Sequence, residues 1–380
     1  MRGFGVWLGA ATVSLLGTQV LAFAMAWIAA GRGGTFAALV LTAINLPRVL
    51  LLLAGGAVAD RFGAWRVMIA ADVLMTVVML GLVGAAARFG EQPVLLVTSA
   101  LAVGVVDAFY LPASGAMPRL LVPGDGLPRA LAARQLAGQA VAFAGPPLGG
   151  VVVAAAGLAA AALANAASFA LVAVVLIALR RPVRPAARSP IMDGWRTAFA
   201  DPVLRPALLL TAAAAAFLLP VSGLLVPLLA RQRDWPATAG GAVAGTIALG
   251  TAVMVGAVLI WGAHRRPARA AVAGLLVAAT GTALLALSPA AGAAVAAGFL
   301  TGLGTGLFSA HIAPLVLGTA PSTHLARVQA VLVLTQSVPL LITNNVLGGI
   351  ADRVPVSTVL LACAAALATA TVATRAREAA

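Results

Sequence analysis

Lysine is absent from this 380-residue chain, and all 24 basic side chains are arginines. Acidic residues number only ten, and cysteine occurs once, as Cys363. One cysteine excludes a disulfide framework or a cysteine metal site within a single chain. The missing lysine, like the excess of alanine, reads as coding bias. Charged residues make up 9% of the chain and hydrophobic ones 62%, a balance at which a soluble globule could not clothe itself in polar surface. An intramembrane enzyme needs a nucleophile and base on facing helices, or a metal cluster, and the sequence offers no such set.

Long apolar runs fill the space that the missing charges leave. Breaks of glycine, proline or arginine divide the chain into twelve runs: 4–30, 35–58, 67–87, 93–113, 129–155, 158–179, 206–230, 238–263, 270–288, 291–317, 327–350 and 356–374. Each is long enough to cross a bilayer as a helix, which takes about 20 residues. The first run exceeds the core of a secretory signal, about 7 to 15 residues, and reads as a retained helix. The expected class is an all-α membrane protein of twelve transmembrane helices. The expected domains are 1–180, a linker 181–205 rich in arginine and proline, and 206–380.

Arginine placement gives an independent orientation, because cytoplasmic loops carry the positive excess. With both termini cytoplasmic, Arg2, Arg61, Arg66, Arg119, Arg129, the linker arginines, Arg265, Arg266, Arg269, Arg327, Arg375 and Arg377 fall inside. Arg32, Arg88, Arg231, Arg233 and Arg353 fall outside. The net charge of +14 is therefore a topology signal, and no nucleic-acid partner is needed to explain it. Leu127-Pro128-Arg129-Ala130 with Gly149-Gly150 is echoed by Leu325-Ala326-Arg327-Val328 with Gly348-Gly349, as two equivalent halves would require.

Between runs two and three lies Gly56-x-x-x-Asp60-Arg61-x-Gly63, followed by Arg66, and run five holds Gly145-Pro146-x-x-Gly149-Gly150. The first resembles motif A of the major facilitator superfamily and the second its antiporter motif C. Asn165-Ala166-Ala167-Ser168-Phe169, Asp72 and Pro112-Ala113 are similar to the bacterial branch of macrolide-efflux and enterobactin-exporter-like proteins. The resemblance implies two six-helix bundles that alternate access to a central site, and motif C implies export. It also implies that Asp60 faces the N-terminus of span eleven near Arg327 and latches the outward-open state. Two features depart from the family pattern: Ala64 and Trp65 stand where a basic pair is usual, and the second-half copy, His264 to Arg269, has lost its acidic residue. Asp352-Arg353 mimics the motif's centre but falls on the outer side, where it reads as a local turn pair.

Ionisable groups inside the runs are Arg48, Asp72, Asp107, Arg134 and His311. A charge at membrane depth is costly and faces a partner or a water-filled cavity. Asp107 is the foremost candidate for proton coupling, and a static pair of Asp107 or Asp72 with Arg48, Arg66 or Arg134 is the alternative. His311 is a packing residue or a coupling group. Gln19, Asn45, Gln139, Asn165, Gln336, Asn344 and Asn345 could line a cavity or bond between helices. With Trp7, Phe23, Trp27 and Phe143 nearby, the pocket suits a bulky amphiphile.

The expected function is proton-coupled export of a drug- or siderophore-like small molecule, without cofactor or metal, by a monomer in the bacterial inner membrane. Nutrient import and a non-transporting sensor or scaffold are the alternatives.

Overall fold

The computed structural model describes residues 2–122, 126–179, 204–318 and 325–379. Most of the linker 181–205 lies outside the described residues, as does the side chain of Arg327. Every regular element among the described residues is helical. Ten helices among the described residues are long and apolar enough to cross a membrane.

The chain divides into two compact units. Unit 1 contains α1 (Arg2–Ala30), most of α2 (Gly34–Phe62), α3 (Ala64–Phe89), α4 (Pro93–Leu121) and α5 (Leu127–Leu179). Two expected runs merge in α5, whose 53 residues are broken only at Gly157, with φ 72°. α2 and α3 are likewise joined by one residue, Gly63, whose φ of 87° is a conformation that glycine tolerates without strain. The core of unit 1 gathers Trp7, Met68, Met117 and Leu176, with Trp65 beside them. The tryptophan that interrupts the expected basic pair is thus a packing residue, 7% exposed.

Unit 2 contains α6 (Leu204–Phe217), α7 (Val226–Gln232), α8 (Ala237–Trp261), α9 (Pro267–Leu287), α10 (Ala291–Gly318), α11 (Leu325–Ala351) and α12 (Val356–Ala379). Between α6 and α7 the helix widens into a π-turn at Val221–Leu225. Pro220 and Pro227 flank it, and neither has an N–H to complete the ordinary ladder. Arg233 closes the far end of α9 by donating to the carbonyls of Ser288 and Ala286, the latter at 2.6 Å. A cation there complements the helix dipole.

Residues 30–38, the first turn of α2 included, group with unit 2. Here the structure corrects the reading of Asp352 as part of a local turn pair. Its carboxylate accepts the Thr35 N–H at 2.9 Å, together with the Thr35 hydroxyl and the Gly34 N–H. The first turn of a helix leaves such N–H groups without intrahelical partners, and the carboxylate occupies them. Only Arg353 stays local, donating to the Gly349 carbonyl at 2.9 Å.

Candidate functional site

The site is built where α2 and α4 cross in unit 1. Pro47 and Pro112 each remove one bond from the helix they interrupt, freeing the carbonyls of Ala43 and Ala108. Glycines then let the backbones close on those openings. A Cβ on Gly55 would lie 2.0 Å from the Ala108 carbonyl oxygen, and one on Gly104 would lie 2.2 Å from that of Ile44. Between the two contacts, Arg48 and Asp107 meet as a salt bridge. Asp107 is nearly covered, with 8% of its side chain exposed, whereas Arg48 keeps 34%. Asn45 donates to the Leu41 carbonyl at 2.8 Å and accepts from Arg48 at 3.5 Å, so it orients the guanidinium.

One helical segment away, α5 contributes Arg134. Its Nη1 donates to the Ser114 carbonyl at 3.0 Å and its Nη2 to the Ser114 hydroxyl at 3.1 Å. The carbonyl is available because Pro118, four residues on, has no N–H to give it. The guanidinium carbon also lies 6.0 Å from the centre of the Trp7 ring, within reach of a cation–π contact. Arg48, Asp107, Arg134, Tyr110 and Gln19 line one cavity of about 250 Å³ inside unit 1. Ser114 and Tyr110, not among the sequence-expected residues, join it. Pro118 was the signal for Ser114, since a proline marks the carbonyl four residues before it as free.

The other expected residues separate into distinct roles. Asn165 is 2% exposed and accepts from Thr18 at 3.5 Å, between α5 and α1. In motif C, a Cβ on Gly145 would lie 2.4 Å from Cβ of Gln19, and one on Gly149 would lie 2.8 Å from the Val20 carbonyl. These glycines bring α5 against α1. Pro146 lies inside the same helix, and Gly150 is buried. Gln139 does not line the cavity. Asp72 is fully buried on α3, and neither oxygen has a hydrogen-bond partner among the described residues.

Asp60 and Arg61 at the end of α2 and Arg66 in the first turn of α3 are exposed, and the Arg61 guanidinium lies over the Phe62 ring at 5.4 Å. Gly56 has open space where a Cβ would project. In unit 2, His311 is 2% exposed, and its Nε2 accepts the His264 N–H at 3.0 Å. Its Nδ1 faces the Leu307 carbonyl at 2.9 Å, which fixes Nδ1 as the donor. The histidine thereby staples the loop between α8 and α9. Asn344 is buried, its side-chain oxygen without a hydrogen-bond partner among the described residues, while Gln336 and Asn345 are exposed.

Among solved structures, a POT family transporter in complex with a thioalcohol-conjugated peptide is 13% identical, with a TM-score of 0.77 over 98% of this chain and 95% of that one. The nucleoside transporter NupG is 13% identical, with a TM-score of 0.75 over 99% of both chains. A bacterial homologue of the iron transporter ferroportin, in its inward-facing state, is 16% identical, with a TM-score of 0.74 over 98% of both. No curated protein matches by sequence. At such identities the likeness is one of fold. Residues 7–344, from the first helix to α11, match the sequence profile described as the Major Facilitator Superfamily. A multi-pass helical chain with glycine-paved crossings, an ion pair on a cavity and that match along most of its length belongs to the Major Facilitator Superfamily.

Proposed function

We propose that the chain is a secondary active transporter that exports a bulky amphiphilic small molecule in exchange for protons. In this reading α5 crosses twice and α12 crosses once, giving twelve crossings in two six-helix bundles with cytoplasmic termini. The membrane is the bacterial inner membrane, the protein works as a monomer, and no cofactor takes part. Rocking of the bundles alternates access, with Asp60 as the inner latch. The observation that carries the proposal is the Arg48–Asp107 pair opening onto a cavity in unit 1. Ionisable groups at membrane depth mark solute and proton pathways. A proton arriving on Asp107 would release Arg48 and change both the charge and the shape of the cavity. Motif C, with Gly145 and Gly149 packing α5 on α1, supports export.

The test is proton flux in proteoliposomes under an imposed pH gradient, with a macrolide and a catecholate siderophore as trial solutes. The expected result is solute-dependent dissipation of the gradient, lost in Asp107→Asn. Equal flux in that variant removes Asp107 from coupling, and a gradient indifferent to both solutes overturns the exporter reading.

A further inference from the structure

The cavity in unit 1 is not neutral. Two arginines line it against a single carboxylate, and that carboxylate is committed to Arg48. Arg134 has no acidic partner among the described residues. Its guanidinium donates two hydrogen bonds to one neutral residue, Ser114. That role needs only an uncharged donor: a carbonyl freed by proline and a hydroxyl would be served equally by a glutamine amide. The Ser114 bonds therefore do not account for the positive charge, and the Trp7 ring meets it from one side only. A cation at membrane depth is costly unless a partner or a water-filled cavity meets it, and this one lines the cavity.

The geometry leaves room for that partner. Arginine carries five N–H groups, and the Ser114 contacts use one on each Nη. Nε–H and a neighbouring Nη–H form the edge of the fork that suits two carboxylate oxygens at once. Trp7 backs the guanidinium on one side, so the group is held flat and oriented. Asp107 and Ser114 lie two helical turns apart on α4, so the ion pair and Arg134 sit about 10 Å from one another along the helix axis. A solute can then address Arg134 without breaking the pair.

We propose that this cavity binds a solute carrying a carboxylate and seats that carboxylate on Arg134, which selects anionic amphiphiles over neutral or cationic ones. The proposal deepens the transporter reading and rests on it only in treating the ligand as the transported solute.

The test is calorimetric binding to the full chain in lipid nanodiscs at pH 7, with three matched probes: 1-naphthaleneacetate, 1-naphthaleneacetamide and 1-naphthaleneethylamine. The acetate should bind the wild type at least tenfold more tightly than the amide or the ammonium. Arg134→Gln keeps a donor for Ser114 and removes the charge. It should bring the acetate down to the amide's affinity, so that the preference for the acetate disappears. Arg134→Lys restores the charge without the fork and should recover part of the difference, and thermal unfolding of both variants checks that the fold is retained. Equal affinities for the three probes, a preference for the ammonium, acetate binding untouched in Arg134→Gln, or no binding of any probe overturns the proposal. A preference for the ammonium would leave proton-coupled transport standing, because proton flux is measured separately.

Discussion

Removing either partner of the Arg48–Asp107 pair leaves a charge behind, and the two removals are not equivalent. Asp107 is nearly covered whereas Arg48 keeps a third of its side chain accessible. Arg48→Met strands a buried carboxylate and should destabilise unit 1 by about 3 kcal/mol, the range for an orphaned buried charge. Asp107→Asn leaves an arginine that can still reach water and should cost about half as much. Thermal unfolding in detergent orders them, and the double variant Arg48→Met with Asp107→Leu should recover most of the loss; additive losses would count against a pair. Asp72 gives the opposite prediction. With no partner for either oxygen, Asp72→Leu should change stability by less than about 1 kcal/mol or raise it, since a well-packed apolar group replaces an unsatisfied one. The sequence showed that all these charges lie at membrane depth, but which of them pair was hidden. Arg48 and Asp107 are 59 positions apart, and their meeting depends on two helices closing over glycine.

At the scale of elements, the crossing of α2 and α4 has almost no slack. A side chain on Gly104 must collide with the Ile44 carbonyl, and Gly104→Leu should part the helices and lower the unfolding temperature more than either single-charge change. The first turn of α2 is held by Asp352 instead. Burial opposes the charge on Asp352, but the Thr35 hydroxyl and N–H, the Gly34 N–H and the Arg353 guanidinium outweigh it and hold the carboxyl below its usual range. A carboxylate held low contributes fully above its unfolded value and loses that contribution as pH falls through its folded value. The clasp should therefore be constant from pH 8 to 5 and weaken only below about pH 4. Hydrogen exchange at the Gly34 and Thr35 amides should accelerate at least tenfold in Asp352→Asn; unchanged protection would show that another contact holds the turn. Apolar runs predicted the helices well because length and hydropathy are local. The single-residue joint at Gly63, the unbroken appearance of α5 and the reach of Asp352 to a residue 317 positions away are set by tertiary packing, which no local pattern displays.

Across the whole molecule, the arginines give the sharpest test of orientation. α8 separates Asp234, just before it, from Arg265 just after it, and its 25 residues span about 37 Å. Cysteines introduced as Asp234→Cys and Arg265→Cys should react with an impermeant maleimide from opposite sides of intact cells, the first from outside and the second only after permeabilisation. Cys363, 1% exposed, adds little background. Labelling of both from one side would invert or break the expected topology. The chain divides into two compact units, and residues 30–38 group with the second. Of the six tryptophans, Trp7 is almost fully buried, lines the cavity and lies against Arg134. Any anion that settles on that guanidinium alters the electric field across the indole, so the chain carries its own fluorescent gauge of occupancy. Emission isolated by replacing the other five tryptophans with phenylalanine would report filling of the cavity, in real time and without a label.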